Sequence, residues 1–189
     1  MVLFGPPAVG KMTVGRAVCA RSHFRLFLNH HTIEPLADVF GMDSAPFRAL
    51  TGEFRRRLVE EAAAAEVPLM LTLVWNLGGV EDARWVSELV SPYASAGLPV
   101  SFVELAANLE ARLERNRGVD RLLAKPSKRD LVWSEAHVRE REHWLMNSDP
   151  KVPMAADGLL AAHRHLRLDT RHAEPQVTAE RIIAWHAAG

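Results

Sequence analysis

The sequence predicts a three-layer α/β fold built on a parallel sheet, and three observations carry that reading. Short apolar runs alternate five times with segments of helical periodicity. The run at residues 67–75 is rich in Leu and Val without polar alternation, the pattern of a strand buried on both faces. A glycine-rich turn follows the first apolar run and opens directly into the first helical segment.

In chain order, residues 1–4 form a short apolar strand. Residues 13–21 have helical spacing, with Val14, Ala17 and Val18 on one face. Residues 24–28 form a second strand. Residues 46–66 form a long amphipathic helix with Phe47, Leu50, Phe54, Leu58 and Ala62 in register, while Arg55, Arg56 and Arg57 read as its solvated side. The apolar run at 67–75 is the expected central strand, and Trp75 at its end reads as core. Residues 80–96 return to helix before Gly97. Residues 99–105 give a fourth strand, 108–117 begin a helix, and 165–168 with 177–187 give the last strand and helix. Between them, residues 112–141 carry nine Arg or Lys and few large apolar side chains, which predicts an exposed lid. Residues 151–158 read as a loop, and the absence of repeats or linkers makes 1–189 a single domain.

Composition narrows the function classes. A 189-residue chain that is 48% hydrophobic can fill one core without covalent staples. Lys plus Arg and Asp plus Glu both total 23, so no global field draws the protein to nucleic acid or membrane. Arg makes up 19 of the 23 cations, which genomic base composition explains as readily as phosphate binding does. Cys19 has no internal disulfide partner, no apolar run approaches the ~20 residues that span a bilayer, and four residues before the glycine turn leave no room for a signal peptide. A cytoplasmic protein is expected, although a four-residue first strand is short and leaves an upstream start open.

Gly5-Pro6-Pro7-Ala8-Val9-Gly10-Lys11-Met12-Thr13 fits G-x-x-x-x-G-K with a hydroxyl one place later than the commonest form. Chance would supply such a match on the order of 0.01 times at this composition. The glycines let the backbone aim successive N–H groups at phosphate oxygens, and the helix that follows offers its positive N-terminus. Lys11 would reach the β and γ phosphates. Met12 stands where a magnesium-binding Ser or Thr is usual, and Thr13 is the candidate to take that place.

The G-K-x-T order resembles the nucleoside monophosphate kinases, and the whole chain is similar to small P-loop kinases such as adenylate, shikimate and gluconate kinases and chloramphenicol phosphotransferase. The resemblance implies a P-loop NTPase fold with a five-stranded parallel sheet in the order 2-3-1-4-5, ATP with Mg²⁺, and a mobile lid that closes on the phosphates. It also implies that an arginine of the L-x-x-R segment after the fourth strand stacks on adenine. Arg115 is that arginine here, with Arg117 and Arg121 assigned to the phosphates, although Glu110 and Glu114 could pair with them on a solvated helix. The Asp169-Thr170-Arg171 turn falls where related kinases form the other adenine wall, which makes Arg171 a nucleotide-binding candidate. The stretch at residues 125–130 is either a phosphate contact or a solvated turn.

The acceptor is expected beyond the carboxyl end of the second strand, where ligands of open α/β sheets lie. Asn29, His30, His31, Glu34 and Asp43 fall there, and Asp82 lies near another strand end. Shikimate-like kinases keep a pair of aspartates at this point; this chain has Asn and His, which argues against shikimate. His30 or His31 is either a base or acceptor ligand or a structural histidine. Asn29, His31, Glu34 and Asp43 are the chosen acceptor-binding residues. The leading expectation is an ATP-dependent phosphotransferase acting on a small-molecule acceptor. A nucleotide-dependent ATPase switch and a nucleic-acid 5′-hydroxyl kinase stand as alternatives; N-K-x-D is absent, and neutral charge disfavours nucleic acid.

Overall fold

The computed structural model describes residues 1–118, 123, 127 and 129–188. Strands β1 (Val2–Phe4), β2 (Arg25–Phe27), β3 (Leu69–Leu73), β4 (Ser101–Ala106) and β5 (Arg164–Asp169) form one sheet in the order β2-β3-β1-β4-β5. Every pairing is parallel. Phe4, the last residue of β1, lies opposite Leu73 on one side and Glu104 on the other.

Side-chain alternation explains why so short a strand can hold the centre. Val2 and Phe4 face one core with Leu71, Leu73, Trp75 and Phe102, backed by Val59 from α3 (Ala45–Ala64) and Val86 and Leu89 from α4 (Val80–Ser95). Leu3 faces the other with Met70, Val103 and Leu105, backed by Val14 and Val18 from α1 (Lys11–Cys19) and Ile182 from α8 (Pro175–Ala187). All three residues of β1 are buried, and each contributes roughly 1.5–3 kcal/mol by leaving water.

Among the described residues, four further helices complete the fold: α2 (His30–Phe40), α5 (Leu109–Asn116), α6 (Leu131–Glu140) and the short α7 (Asp157–Ala161). Helix α2 runs unbroken through Pro35, a residue that argues against a helix in sequence, and Thr32 is its one buried residue. Residues 157–158, expected in a loop, begin α7.

Two expectations need correcting. In α3 the buried positions are Thr51, Val59 and Ala63, while Leu50 and Phe54 are exposed. The inward face includes Arg55 instead, which donates from Nε to Thr32 Oγ1 at 2.9 Å and from Nη2 to the Asn29 carbonyl at 3.1 Å. Arg55 is therefore no part of a solvated side; burial lowers its pKa to about 10, so it stays charged. The basic segment also does not begin as exposed surface: Arg112 is buried in α5 and pairs with Glu142.

Candidate functional site

The glycine turn is a strained loop at the sheet centre. Gly5 has φ +140°, and a Cβ there would lie 2.3 Å from the Leu105 carbonyl oxygen, so the loop closes on the end of β4 as no other residue would allow. Gly10, at φ +106°, caps α1, and Ala8 also takes a left-handed conformation at φ 63°. Lys11 Nζ donates to the carbonyls of Gly5 and Pro6 at 2.6 and 2.8 Å, which folds its ammonium over the loop. Consecutive amides at a helix N-terminus beside a fixed cation form a cradle suited to phosphate.

A cleft of about 1130 Å³ runs along the carboxyl ends of the strands, with Pro7 to Val14 at its middle. Because β4 and β5 lie on one side of β1 and β3 and β2 on the other, the cleft has two flanks.

The β5 flank holds Arg115, Thr170, Arg171 and Pro175. Arg115 donates from Nη1 to the Val9 carbonyl at 3.2 Å and from Nη2 to the carbonyls of Thr170 and Arg171 at 2.5 and 3.2 Å. Arg171 donates from Nε to Asp169 Oδ2 at 2.8 Å, and this pairing holds the Asp169 carboxyl below its ordinary range. Arg115 and Arg171, both proposed from sequence, are thus brought together with the phosphate loop.

The β2 flank holds Asn29, His30, Asp43 and Phe47, with Thr72 and Val74 from the end of β3. Thr72 Oγ1 accepts the Asn29 N–H at 2.9 Å, which ties the start of α2 to the sheet. His30 Nδ1 lies 2.6 Å from Glu34 Oε1, one helical turn away. Burial alone would raise the Glu34 pKa, but hydrogen bonds from His30 and from the N–H and hydroxyl of Ser127 bring it to about 2. That carboxylate is ionised at neutrality, so His30 Nδ1 carries the proton of this hydrogen bond.

His31 and Glu34 themselves do not line the cleft. Successive helical residues are about 100° apart, so His30 and His31 cannot share a face. His31 Nδ1 instead accepts the Leu28 N–H at 3.3 Å; burial, and then the charge of Arg16, lower its pKa and favour this neutral form. Asp82 accepts the Asn76 N–H at 3.1 Å, away from the cleft.

Helix α6 and the residues after it supply side chains that sequence reasoning passed over: Trp133, His137, Glu140, Arg141 and Trp144 all line the cleft. Their spacing of i, i+4, i+7, i+8 and i+11 is a helical face and was the available signal. Trp133 stacks on His137 with ring centroids 5.2 Å apart, and the Arg141 guanidinium lies 3.7 Å from the Trp144 ring centroid. Arg117 does not line the cleft; its Nη2 donates to Glu135 Oε2 at 2.8 Å on α6. Arg121, with Lys125 and Lys128, lies outside the described residues.

Among the described residues no three His, Cys, Asp or Glu side chains gather to hold a metal ion, and no helix is long and apolar enough to cross a membrane. Thr13, exposed on the first turn of α1, and Met12 both line the cleft beside Lys11.

No protein-family model and no curated protein matches the chain. Solved structures do. A putative kinase from Chloroflexus aurantiacus is 16% identical, with a TM-score of 0.62 over 100% of this chain and 95% of that one. Shikimate kinase from Acinetobacter baumannii, solved with shikimate, is 16% identical with a TM-score of 0.54, over 99% and 92%. The APS kinase of Mycobacterium tuberculosis, solved with AMPPNP and APS, is 19% identical with a TM-score of 0.56, over 98% and 96%. Together with the strand order and the phosphate loop, these likenesses give the chain the fold of the P-loop small-molecule kinases.

Proposed function

We propose that the protein transfers the γ-phosphoryl group of ATP to a hydroxyl of a small molecule, in the cytoplasm, as one domain with residues 112–141 as its lid. The observation that carries this reading is the single cleft that joins the glycine loop and Lys11 to a second flank at Asn29, His30 and Asp43. A nucleotide site alone would not need that second flank.

Magnesium-bound ATP supplies a phosphoryl group whose negative charge the ion partly neutralises. The residues fit it: Gly5 lets the loop close on the end of β4, Gly10 at positive φ opens into α1, and Lys11 folds over the loop between them. The amides of Pro7-flanked Ala8, Val9, Gly10, Lys11, Met12 and Thr13 would hold phosphate oxygens, with Thr13 toward the metal. Arg115 and Arg171 would wall the base. On the other flank, Asn29 and Asp43 would orient the acceptor, and His30, its ring held by Glu34 through Nδ1, would act as the base. The acceptor oxygen forms its bond to the γ-phosphorus as the bond from that phosphorus to the bridging oxygen breaks. The bridging electron pair leaves with ADP, and the hydroxyl proton passes to His30. Catalysis is then mostly positioning and charge neutralisation.

Titration calorimetry with ATP and magnesium tests the donor half, and ATP consumption across an acceptor library tests transfer. Lys11→Ala is expected to weaken ATP binding at least tenfold and abolish turnover. Unchanged affinity and turnover would sink the assignment. ATP hydrolysis that no acceptor stimulates would favour a nucleotide switch, and labelling of a nucleic-acid 5′ end a polynucleotide kinase.

A further inference from the structure

Resting on that reading, we infer that the acceptor is an uncharged hydroxyl compound whose body is an aromatic or heteroaromatic ring. The β2 half of the cleft is lined by Ile33, Met42, Phe47, Val74, Trp133 and Trp144, drawn from α2, the loop before α3, α3 itself, the end of β3 and the segment around α6. Two indoles and a phenyl ring give flat faces on which a ring can stack, and each such face is worth more than its buried area alone. Apolar walls with a few convergent polar groups are the usual form of a site for a neutral organic ligand.

The charges on this flank point the same way. The carboxylates Asp43 and Glu140 line the cleft here. Arg55 lies beneath the flank but is committed to Thr32 and Asn29, and Arg141 lies over the Trp144 ring. A carboxylate, sulfate or phosphate on the acceptor would need a guanidinium fork, and the described residues of this flank offer none beyond Arg141.

The segment that carries the indoles is fixed over this half at both ends. At one end the Ser127 N–H and hydroxyl donate to Glu34 at 3.0 and 2.7 Å. At the other, the Leu77 N–H donates to the Leu145 carbonyl at 2.7 Å, and the Leu145 N–H donates to Asn76 Oδ1 at 3.2 Å. Trp144, next to Leu145, is therefore held beside the end of β3, and Trp133 lines the same cleft from the first turn of α6.

The test is a panel of nucleosides and neutral aryl-alkyl alcohols set against hydroxy acids, sugars, sugar phosphates and nucleoside monophosphates. Each compound is titrated calorimetrically into the protein saturated with a non-hydrolysable ATP analogue and magnesium, and phosphoester formation with ATP is read by mass spectrometry. At least one neutral ring compound is expected to bind and to exceed every anionic or sugar acceptor tenfold in kcat/KM. Trp133→Ala should raise the KM for that acceptor about tenfold and leave the KM for ATP unchanged, with Trp133→Phe restoring most of it. Preference for an anionic or sugar acceptor would overturn the inference while leaving the phosphotransferase reading intact. Failure of every ring compound to bind, or an unmoved acceptor KM in Trp133→Ala, would overturn it as well. Loss of ATP binding is a separate result, since it would remove the underlying reading.

Discussion

Arg115 and Thr170 converge on a single carbonyl: Arg115 Nη1 and Thr170 Oγ1 both donate to the Val9 oxygen, at 3.2 and 3.1 Å. The phosphate loop and the turn after β5 are therefore one unit, and Arg115 is its clasp. Arg115→Ala should lower ATP affinity roughly tenfold, about 1.4 kcal/mol, because the loop loses a charge-assisted bond and its wall. Arg115→Lys should recover little, since one ammonium cannot span the carbonyls of Val9, Thr170 and Arg171. Calorimetric titration of both variants checks this, and parental affinity in Arg115→Ala would exclude the clasp.

Thr13 is the one hydroxyl next to Lys11 on the first turn of α1. Thr13→Val should shift the magnesium concentration that half-saturates ATP binding upward several-fold, with little change in thermal stability. A superimposable magnesium titration would remove Thr13 from the metal.

Glu104 is completely buried on β4, and its oxygens accept from Asn147, Ser148, His165 and Arg167. Burial would raise its pKa, but those hydrogen bonds prevail and lower it from 4.5. A carboxylate with a depressed folded pKa contributes its stability above the unfolded value and loses it as pH falls through the folded one. Urea unfolding should therefore show wild-type stability declining below about pH 4.5. Glu104→Gln should cost about 3 kcal/mol at neutrality and flatten part of that acid slope. A variant as stable as the parent would show that Asn147 and Ser148 hold the segment unaided.

Glu34 joins α2 to Ser127, and its pKa of about 2 keeps the link charged across neutral pH. By the same sign rule the link persists down to the ordinary value of 4.5 and is lost toward pH 2. Hydrogen exchange in Leu131–Glu140 should slow on adding a non-hydrolysable ATP analogue with magnesium, more than in Ala45–Ala64, and Ser127→Ala should speed it without nucleotide. Arg141→Ala should lower kcat more than Arg117→Ala, because Arg141 lines the cleft while Arg117 pairs with Glu135. Exchange unaffected by nucleotide would rule out a closing lid.

The alternation of strands and helices was legible because buried parallel strands write themselves as unbroken apolar runs, and Leu69–Leu73 is buried throughout. The phosphate loop was legible because Gly5 and Gly10 occupy conformations that few other residues adopt. Helix α2 was hidden by Pro35 and by a mostly solvent-facing surface. The inward turn of Arg55 was hidden because charge reads as solvation until a partner such as Thr32, 23 residues away, is known. Arginine count drew attention to Arg117, whereas the cleft takes its side chains from the helical face that starts at Trp133. Which of two adjacent histidines enters a site depends on helical phase, and the start of α2 at His30 set it.

Three of the five indoles stand in two contrasting optical environments. Trp75 is 1% exposed, with ring centroids 5.1 Å from Phe4 and 5.8 Å from Phe102, so its emission belongs to the blue and lies beyond the reach of aqueous quenchers until the chain unfolds. Trp133 and Trp144 line an open cleft, where iodide or acrylamide can collide with them. With Trp85 and Trp185 replaced by Phe, the two bands report different events in an unlabelled sample: the accessible one dims or is shielded as the cleft fills, and the buried one reddens only when the sheet comes apart.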